Sequence, residues 1–534
     1  MRWLGAITLF GLALRVWAIG AKGLWLDEAF SIWMSRHALT ELFDWLVRID
    51  QHPPLYYLLL HGWLTFGDQE GWVRTLSALF STATIPLFYL FVRSLLDVKT
   101  GLVAALILAL APFHVRFAQE TRMYALLACM AAAAMLCLAL ILTTPGRASE
   151  PYGRRWTRRL AWIGYVLCTT ATLLTHNTAI FFPLAVNLFV LGWIAWRRWR
   201  PAAPTAVDAS RKRAPGQPPL RPLEPPALAS WLYAQAAIVA LWLPWSAAFV
   251  RQSLGVDAQF WIPAPTLQTI LDTLGVFMTG AFADGWFWPG WVWLFFGLFF
   301  AMGAYALRVR PPVLALLLLL WLTPFAGEWL VSLRRPIFYD RTLIWASLPF
   351  YAVVAVGIAS LHSRAVIAAA LVALAALQLF SLNSYYRDFR KEEWREAAAY
   401  VVQQVRPGDL LLFNATWVQI PFDYYFDRYE LAVPQHGAPA DLFDAGVLEP
   451  VMTPADAPRL HALLQKYARV WLIYSHNWYT DPQGLVPDTL EQKLDLRSRQ
   501  PFYGLELRLY AAKESSLTAA PDDWIRSFCV LKGN

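Results

Sequence analysis

Apolar, almost uncharged stretches about 20 residues long recur along most of this chain, and that is the length at which an α-helix crosses a bilayer core. Eleven such segments are expected as spans: 1–21, 73–93, 101–115, 123–143, 160–176, 178–196, 228–250, 288–307, 312–332, 342–361 and 364–384. The stretch 101–115 is short for one. Only 15% of the 534 residues are charged and 58% are hydrophobic, against about 25% charged in a soluble domain. This excludes a disordered chain, a collagen-like fibre and a disulfide-stapled module. The 28 tryptophans suit membrane–water interfaces. The four cysteines have no paired spacing, so neither a zinc site nor a disulfide framework is indicated. Lys and Arg (45) exceed Asp and Glu (37), but they fall between apolar segments, which argues for membrane orientation and against nucleic acid.

The segment 52–66 decides the topology. It is apolar, but after its prolines it is too short to span. Placed along the surface, it leaves the basic clusters RRWTRR and RRWR…RKR on the inner side, as the positive-inside rule requires. The N-terminus is then cytoplasmic, the first outer loop is 22–72, and 201–226 is a flexible cytoplasmic loop rich in Pro and Ala. A membrane domain is expected over 1–384 and an extracytoplasmic soluble α/β domain over 385–534. In the latter, helical stretches at 392–405 and 455–467 alternate with apolar runs at 410–413, 470–474 and 505–510.

Ionisable groups gather at the outer ends of the spans. The first exit reads LWLDEAFS and carries adjacent carboxylates, Asp27 and Glu28. Neighbouring residues point in different directions, so the two acids are not expected to share a job. Two readings of Asp27 stand side by side, a helix N-cap and a general base. His52 precedes a double proline that holds it in an extended approach; it reads either as an anion contact or as a surface histidine. The turn PFHVRFAQETRMY packs His114, Arg116, Gln119, Glu120, Arg122 and Tyr124 together. Such groups at a membrane boundary are costly. Here they read as a phosphate-binding fork, as an internal ion pair through Glu120, or as both. A fourth cluster holds Glu328, Arg334, Arg335 and Arg341, with a lipid phosphate as the natural counter-group and anionic headgroups of the outer leaflet as the plainer reading. Arg15, inside the first span, is expected to point toward the same outer cavity. Charges at one face favour an enzyme over a transporter or flippase of lipid or sugar, whose charges would lie near mid-membrane on several helices. No P-loop, Rossmann fingerprint, HExxH or GxSxG appears in a suitable context.

The succession LWLDEAFS, HPPLYYLLLHGWLTFG and PFHVRFAQETRMYALL resembles bacterial members of glycosyltransferase family 39. These are relatives of the dolichyl-phosphate-mannose protein mannosyltransferases and of the lipid A aminoarabinose transferase, within the GT-C fold class. The resemblance covers roughly the first 200 residues. A later stretch, YDRTLIWASLP, is similar to a family segment usually written with RY and LP, with Thr342 replacing the tyrosine; QETRMY stands where the family usually shows QEARMY. The resemblance implies a mainly α, polytopic GT-C protein with interfacial helices in the first outer loop. It implies an active site on the outer face of a bacterial inner membrane. It implies a polyprenyl-phosphate-linked sugar donor and a protein, lipid or glycan acceptor. By motif position it gives Asp27 the catalytic role, with Glu28 beside it, and matches Glu120 and Arg122 to the second motif. No motif demands a cofactor. A divalent metal beside Asp27 and Glu28 is left open, since no ligand spacing requires one.

Overall fold

A computed structural model of the protein describes residues 2–50, 52–144, 152–199, 223–255, 264–280, 288–444 and 450–513. The chain forms two compact units. One contains Met1–Ala21 and Met34–Phe389; the other joins Lys22–Trp33 to the chain from Arg390 onward. The loop expected at 201–226 lies mostly outside the described residues, as does Cys529.

In the first unit the helices run α1 (Arg2–Val16), α2 (Leu26–Arg36, whose start belongs to the second unit), α3 (Leu39–Arg48), α4 (Leu55–Leu64), α5 (Glu70–Leu95), α6 (Val98–Leu110), α7 (Pro112–Ala118) and α8 (Tyr124–Thr143). They continue as α9 (Tyr152–Leu173), α10 (Phe181–Trp199), α11 (Leu228–Gly255), α12 (Leu267–Thr279), α13 (Trp288–Leu307), α14 (Pro311–Ser332), α15 (Ser347–Ala359) and α16 (Arg364–Arg387). Each of the eleven expected spans contains helix. Among the described residues, eight are long and apolar enough to cross a membrane, or nine if α6 and α7 count as one span bent by 56°. The other two differ for plain reasons: α1 has 15 residues, and α9 begins in the basic run RRWTRR.

Proline causes the α6/α7 bend. Pro112 has no N–H to donate, and its ring cannot follow an unbroken helix, so carbonyls at the end of α6 lose their partners. Arg15 takes two of them. Its guanidinium donates to Leu108 O (3.1 Å) and Ala109 O (3.0 Å), as well as to Gly11 O and Ser81 Oγ. The expectation that Arg15 faces an outer cavity is therefore corrected: it is fully buried and caps a broken helix. The stretch 52–66 yields only the ten-residue α4, too short to span. α15 sits in the middle of the bundle, packed on α6, α13 and α14. Gly303 of α13 and Gly357 of α15 let those two helices touch through their backbones. A Cβ on either would come within 1.9 Å of a carbonyl oxygen of the other helix, the small-residue contact that apolar bundles favour.

The second unit adds α17 (Trp394–Val402), α18 (Gln419–Phe426), α19 (Ala457–Leu464), α20 (Asn477–Thr480) and α21 (Leu485–Lys493) around a five-stranded sheet. Its strands are β1 (Leu410–Asn414), β2 (Gln435–Gly437), β3 (Arg469–Tyr474), β4 (Leu494–Phe502) and β5 (Leu505–Ala512), in the order β2-β1-β3-β5-β4. β1 is parallel to β2 and β3; β5 is antiparallel to β3 and β4. Every residue of β1 is buried, as expected of a strand covered on both faces. Leu410, Leu412, Val470 and Leu472 pack with Leu460, Leu464 and Leu490. On the opposite face, Phe413 meets Phe422 of α18, and Trp471 meets Tyr400 of α17.

Candidate functional site

Asp27 and Glu28 lie in the first turn of α2. Asp27 is one residue inside the helix, so it is not the N-cap. The first helical N–H, that of Leu26, instead donates to Glu392 Oε2 (3.1 Å), and Leu24 N–H donates to the Tyr425 hydroxyl (2.7 Å). Glu28 is fully buried and ion-paired to Lys391 at 2.8 Å; its charge is already committed. Asp27 is half-buried, and its negative charge at a helix N-terminus is favourable. Glu392 also accepts from Trp394 Nε1 (2.6 Å) and faces His476 Nε2 at 3.5 Å. Burial pushes the Glu392 carboxyl up; His476, Trp394 and Leu26 oppose the rise, and the charge of Asp27 adds to it.

A second polar cluster forms within the membrane unit. Pro53 and Pro54 delay the start of α4 to Leu55, and Leu55 N–H donates to Leu174 O (2.9 Å). This brings His52 against His176, with ring centroids 5.2 Å apart. Gln252 of α11 donates to Leu46 O and Asp50 O and accepts from Asn177, joining the two loops. His52 Nδ1 is 2.9 Å from Asp50 Oδ1. Tyr124 lies 6.0 Å from His176, and Arg341 stands over the Tyr124 and Tyr339 rings at 5.5 and 4.6 Å, within cation–π range. Arg122, buried, acts electrostatically on both Asp50 and His176.

The charges sort themselves. Burial would raise the Asp50 carboxyl, but His52, Arg122 and Tyr57 outweigh it and hold the group below its ordinary range. Burial first, then the charges of His52, Arg122 and Arg341, holds His176 well below the ordinary histidine range. His176 is therefore neutral at pH 7. Arg122 and Arg341 bring positive charge to this cluster, and guanidinium groups suit an anionic ligand.

The remaining expected residues lie close by in the chain but do other work. Arg116 pairs with Glu120 at 3.2 Å, stacks on Phe117 and Phe389, and feels Asp340. Glu120 is thus the internal ion-pair partner foreseen as one reading, and its Oε2 is buried with no hydrogen bond among the described residues. Gln119 donates to Arg15 O and Trp17 O and accepts from Tyr385, which fastens α1 to α16. His114 is buried against Ser347 Oγ at 2.8 Å. These last two do not join the His52–His176 cluster. Glu328 is fully buried and accepts from Thr342 Oγ1 at 2.7 Å. Among the described residues no three His, Cys, Asp or Glu side chains converge as a metal site.

Sequence reasoning missed His176 as a site residue. It stood as the last residue of the expected span 160–176, whereas the helix ends at Leu173 and leaves His176 in the connection to α10. Asp50 was visible only as a neighbour of His52.

The dolichyl-phosphate-mannose-protein mannosyltransferase family model matches residues 51–206. No curated protein sequence matches the chain. Among solved structures, ArnT from Cupriavidus metallidurans in the apo state is 12% identical with a TM-score of 0.61, over 95% of this chain and 98% of that one. ArnT bound to undecaprenyl phosphate is 14% identical with a TM-score of 0.59, over the same shares. The Archaeoglobus fulgidus oligosaccharyltransferase in its apo form is 12% identical with a TM-score of 0.56, over 96% of this chain and 74% of that one. The chain therefore shares the fold of these membrane proteins, and its residues 51–206 resemble the mannosyltransferase family.

Proposed function

We propose that the protein moves a sugar from a polyprenyl-phosphate-linked donor to an acceptor hydroxyl or amine, on the extracytoplasmic face of a bacterial inner membrane, with inversion. In this reading the N-terminus is cytoplasmic and the 385–534 domain extracytoplasmic. The observation that carries the reading is the positive cluster of Arg122 and Arg341 around Tyr124, His52 and His176. Arg122, Tyr124 and both histidines belong to the stretch that matches the mannosyltransferase family, and a protein of the same fold binds undecaprenyl phosphate.

Asp27 takes the proton of the acceptor. The acceptor's lone pair forms the new bond to the anomeric carbon, while the bond to the phosphate oxygen breaks and its electron pair leaves with polyprenyl phosphate. The donor is a phosphodiester with one negative charge; the leaving phosphate gains a second. Arg122 and Arg341 therefore stabilise the departing group more than the bound donor, which is what lowers a barrier. His176, neutral and with its Nδ1 accepting from Thr178, donates its Nε2–H to a phosphate oxygen, and Asp50 orients the His52 ring beside it. A positioned base is worth roughly 10²–10⁴-fold in rate. The test is transfer from undecaprenyl-phosphate-linked sugars by purified protein. Asp27→Asn is expected to abolish transfer while the protein remains folded, and a fully active Asp27→Asn removes this mechanism.

A further inference from the structure

Three anchors grip the exit loop at every second residue: Leu24 N–H on the Tyr425 hydroxyl, Leu26 N–H on Glu392, and the Glu28 carboxylate on Lys391. All three partners come from the chain after Arg390, and Asp27 lies between the last two anchors. Glu392 is itself held. Trp394 Nε1 donates to the same oxygen that receives Leu26, and His476 faces the other one. Glu393 exchanges hydrogen bonds with Tyr503 at the tip of the β4–β5 hairpin. Gly504 at that tip lies so close that a Cβ there would reach Glu392 Cγ at 2.7 Å.

We infer that Glu392, with Lys391 and Tyr425, is a positioning residue for Asp27: the soluble domain's sheet fixes the backbone that aims the base. The inference rests on Asp27 being the base. A cap on a helix N-terminus removes an orphan N–H and rigidifies the first turn. A base misplaced by about 1 Å can lose roughly 10²-fold in rate. Glu392 touches neither donor nor acceptor in this scheme, so its loss is expected to lower kcat and leave donor KM unchanged.

The experiment follows amide hydrogen exchange over residues 23–30 in the full-length protein in lipid nanodiscs, for wild type, Glu392→Ala, Glu392→Gln and Tyr425→Phe. A lost hydrogen bond to a charged group is expected to speed exchange by about 10–100-fold in Glu392→Ala. Glu392→Gln keeps an oxygen acceptor for Leu26 N–H and is expected to stay within a few-fold of wild type. Tyr425→Phe keeps the ring and is expected to free Leu24 alone. Turnover with undecaprenyl-phosphate mannose as the probe should show kcat about tenfold lower in Glu392→Ala, restored in Glu392→Gln, with donor KM constant in both. Unchanged exchange in Glu392→Ala overturns the inference. So does faster exchange with an unchanged kcat. If wild type does not turn the probe over, the donor proposed above is at fault, and the exchange data alone decide the clamp.

Discussion

Two carboxylates of opposite character show how much single side chains decide here. Asp27 is half-buried at a helix N-terminus, whereas Asp423 of α18 is pushed up to about 7, first by burial and then by the charge of Asp427. A raised carboxyl binds a proton in the folded state that the unfolded chain has already released. Its contribution to stability is therefore present below pH 3.8 and is lost as pH rises toward 7. Asp423→Asn is expected to stabilise the soluble unit at pH 8 by about 1–3 kcal/mol, with the gain vanishing near pH 4 in thermal melts. His176 calls for a different test. Replacing it with Asn keeps a neutral donor and is expected to cost about tenfold in donor turnover. His176→Asp, which sets a negative charge beside Arg122 and Arg341, is expected to cost at least 10²-fold; equal losses in the two would show that charge at this position is unimportant. The exit-loop acids and the arginine-bearing turn were legible because adjacent charges beside apolar spans are costly and conspicuous. His176 was not, since one histidine at the end of an expected span resembles any helix end until the fold brings His52 to it.

At the level of helices and strands, hydrophobic runs were easy to read and edges were not. β1 and β3 appear in the sequence as apolar runs because both of their faces are covered, and β5 because its alternate leucines, Leu505, Leu507 and Leu509, are buried. β2 has only three residues, and β4 (LDLRSRQPF) has a single buried residue and three charged ones, as sheet edges tend to; neither carries a hydrophobic signal. The α6/α7 break was read as one short span because apolar composition does not register a 56° bend; only Pro112 hints at it. The α13/α15 contact gives an element-level prediction. Gly303→Leu drives a side chain into the Val353 carbonyl of the neighbouring helix. It is expected to destabilise the bundle by about 1–3 kcal/mol or more. Gly297→Leu, on the same helix with open space around its Cβ, is expected to be nearly silent, and comparing detergent-solubilised melts of the two variants checks this.

For the whole molecule, the division into units does not follow the chain. A boundary drawn at residue 385 separates a membrane domain from a soluble one, yet Lys22–Trp33 packs as part of the soluble unit. Sequence patterning cannot reveal this, because Leu26 and Glu392 meet across 366 residues, and neither residue looks unusual alone. Truncating the chain after Phe389 is therefore expected to abolish transfer even though every proposed phosphate-binding residue remains, and limited proteolysis of the truncated protein should cut first within 22–33.

Inheritance follows from the same arrangement. A chimera that imports the soluble domain of another protein of this fold onto this bundle also imports a foreign seat for the exit peptide. Such grafts should work only when residues 22–33 travel with the donor's domain, so that two stretches far apart in the gene are exchanged as one part.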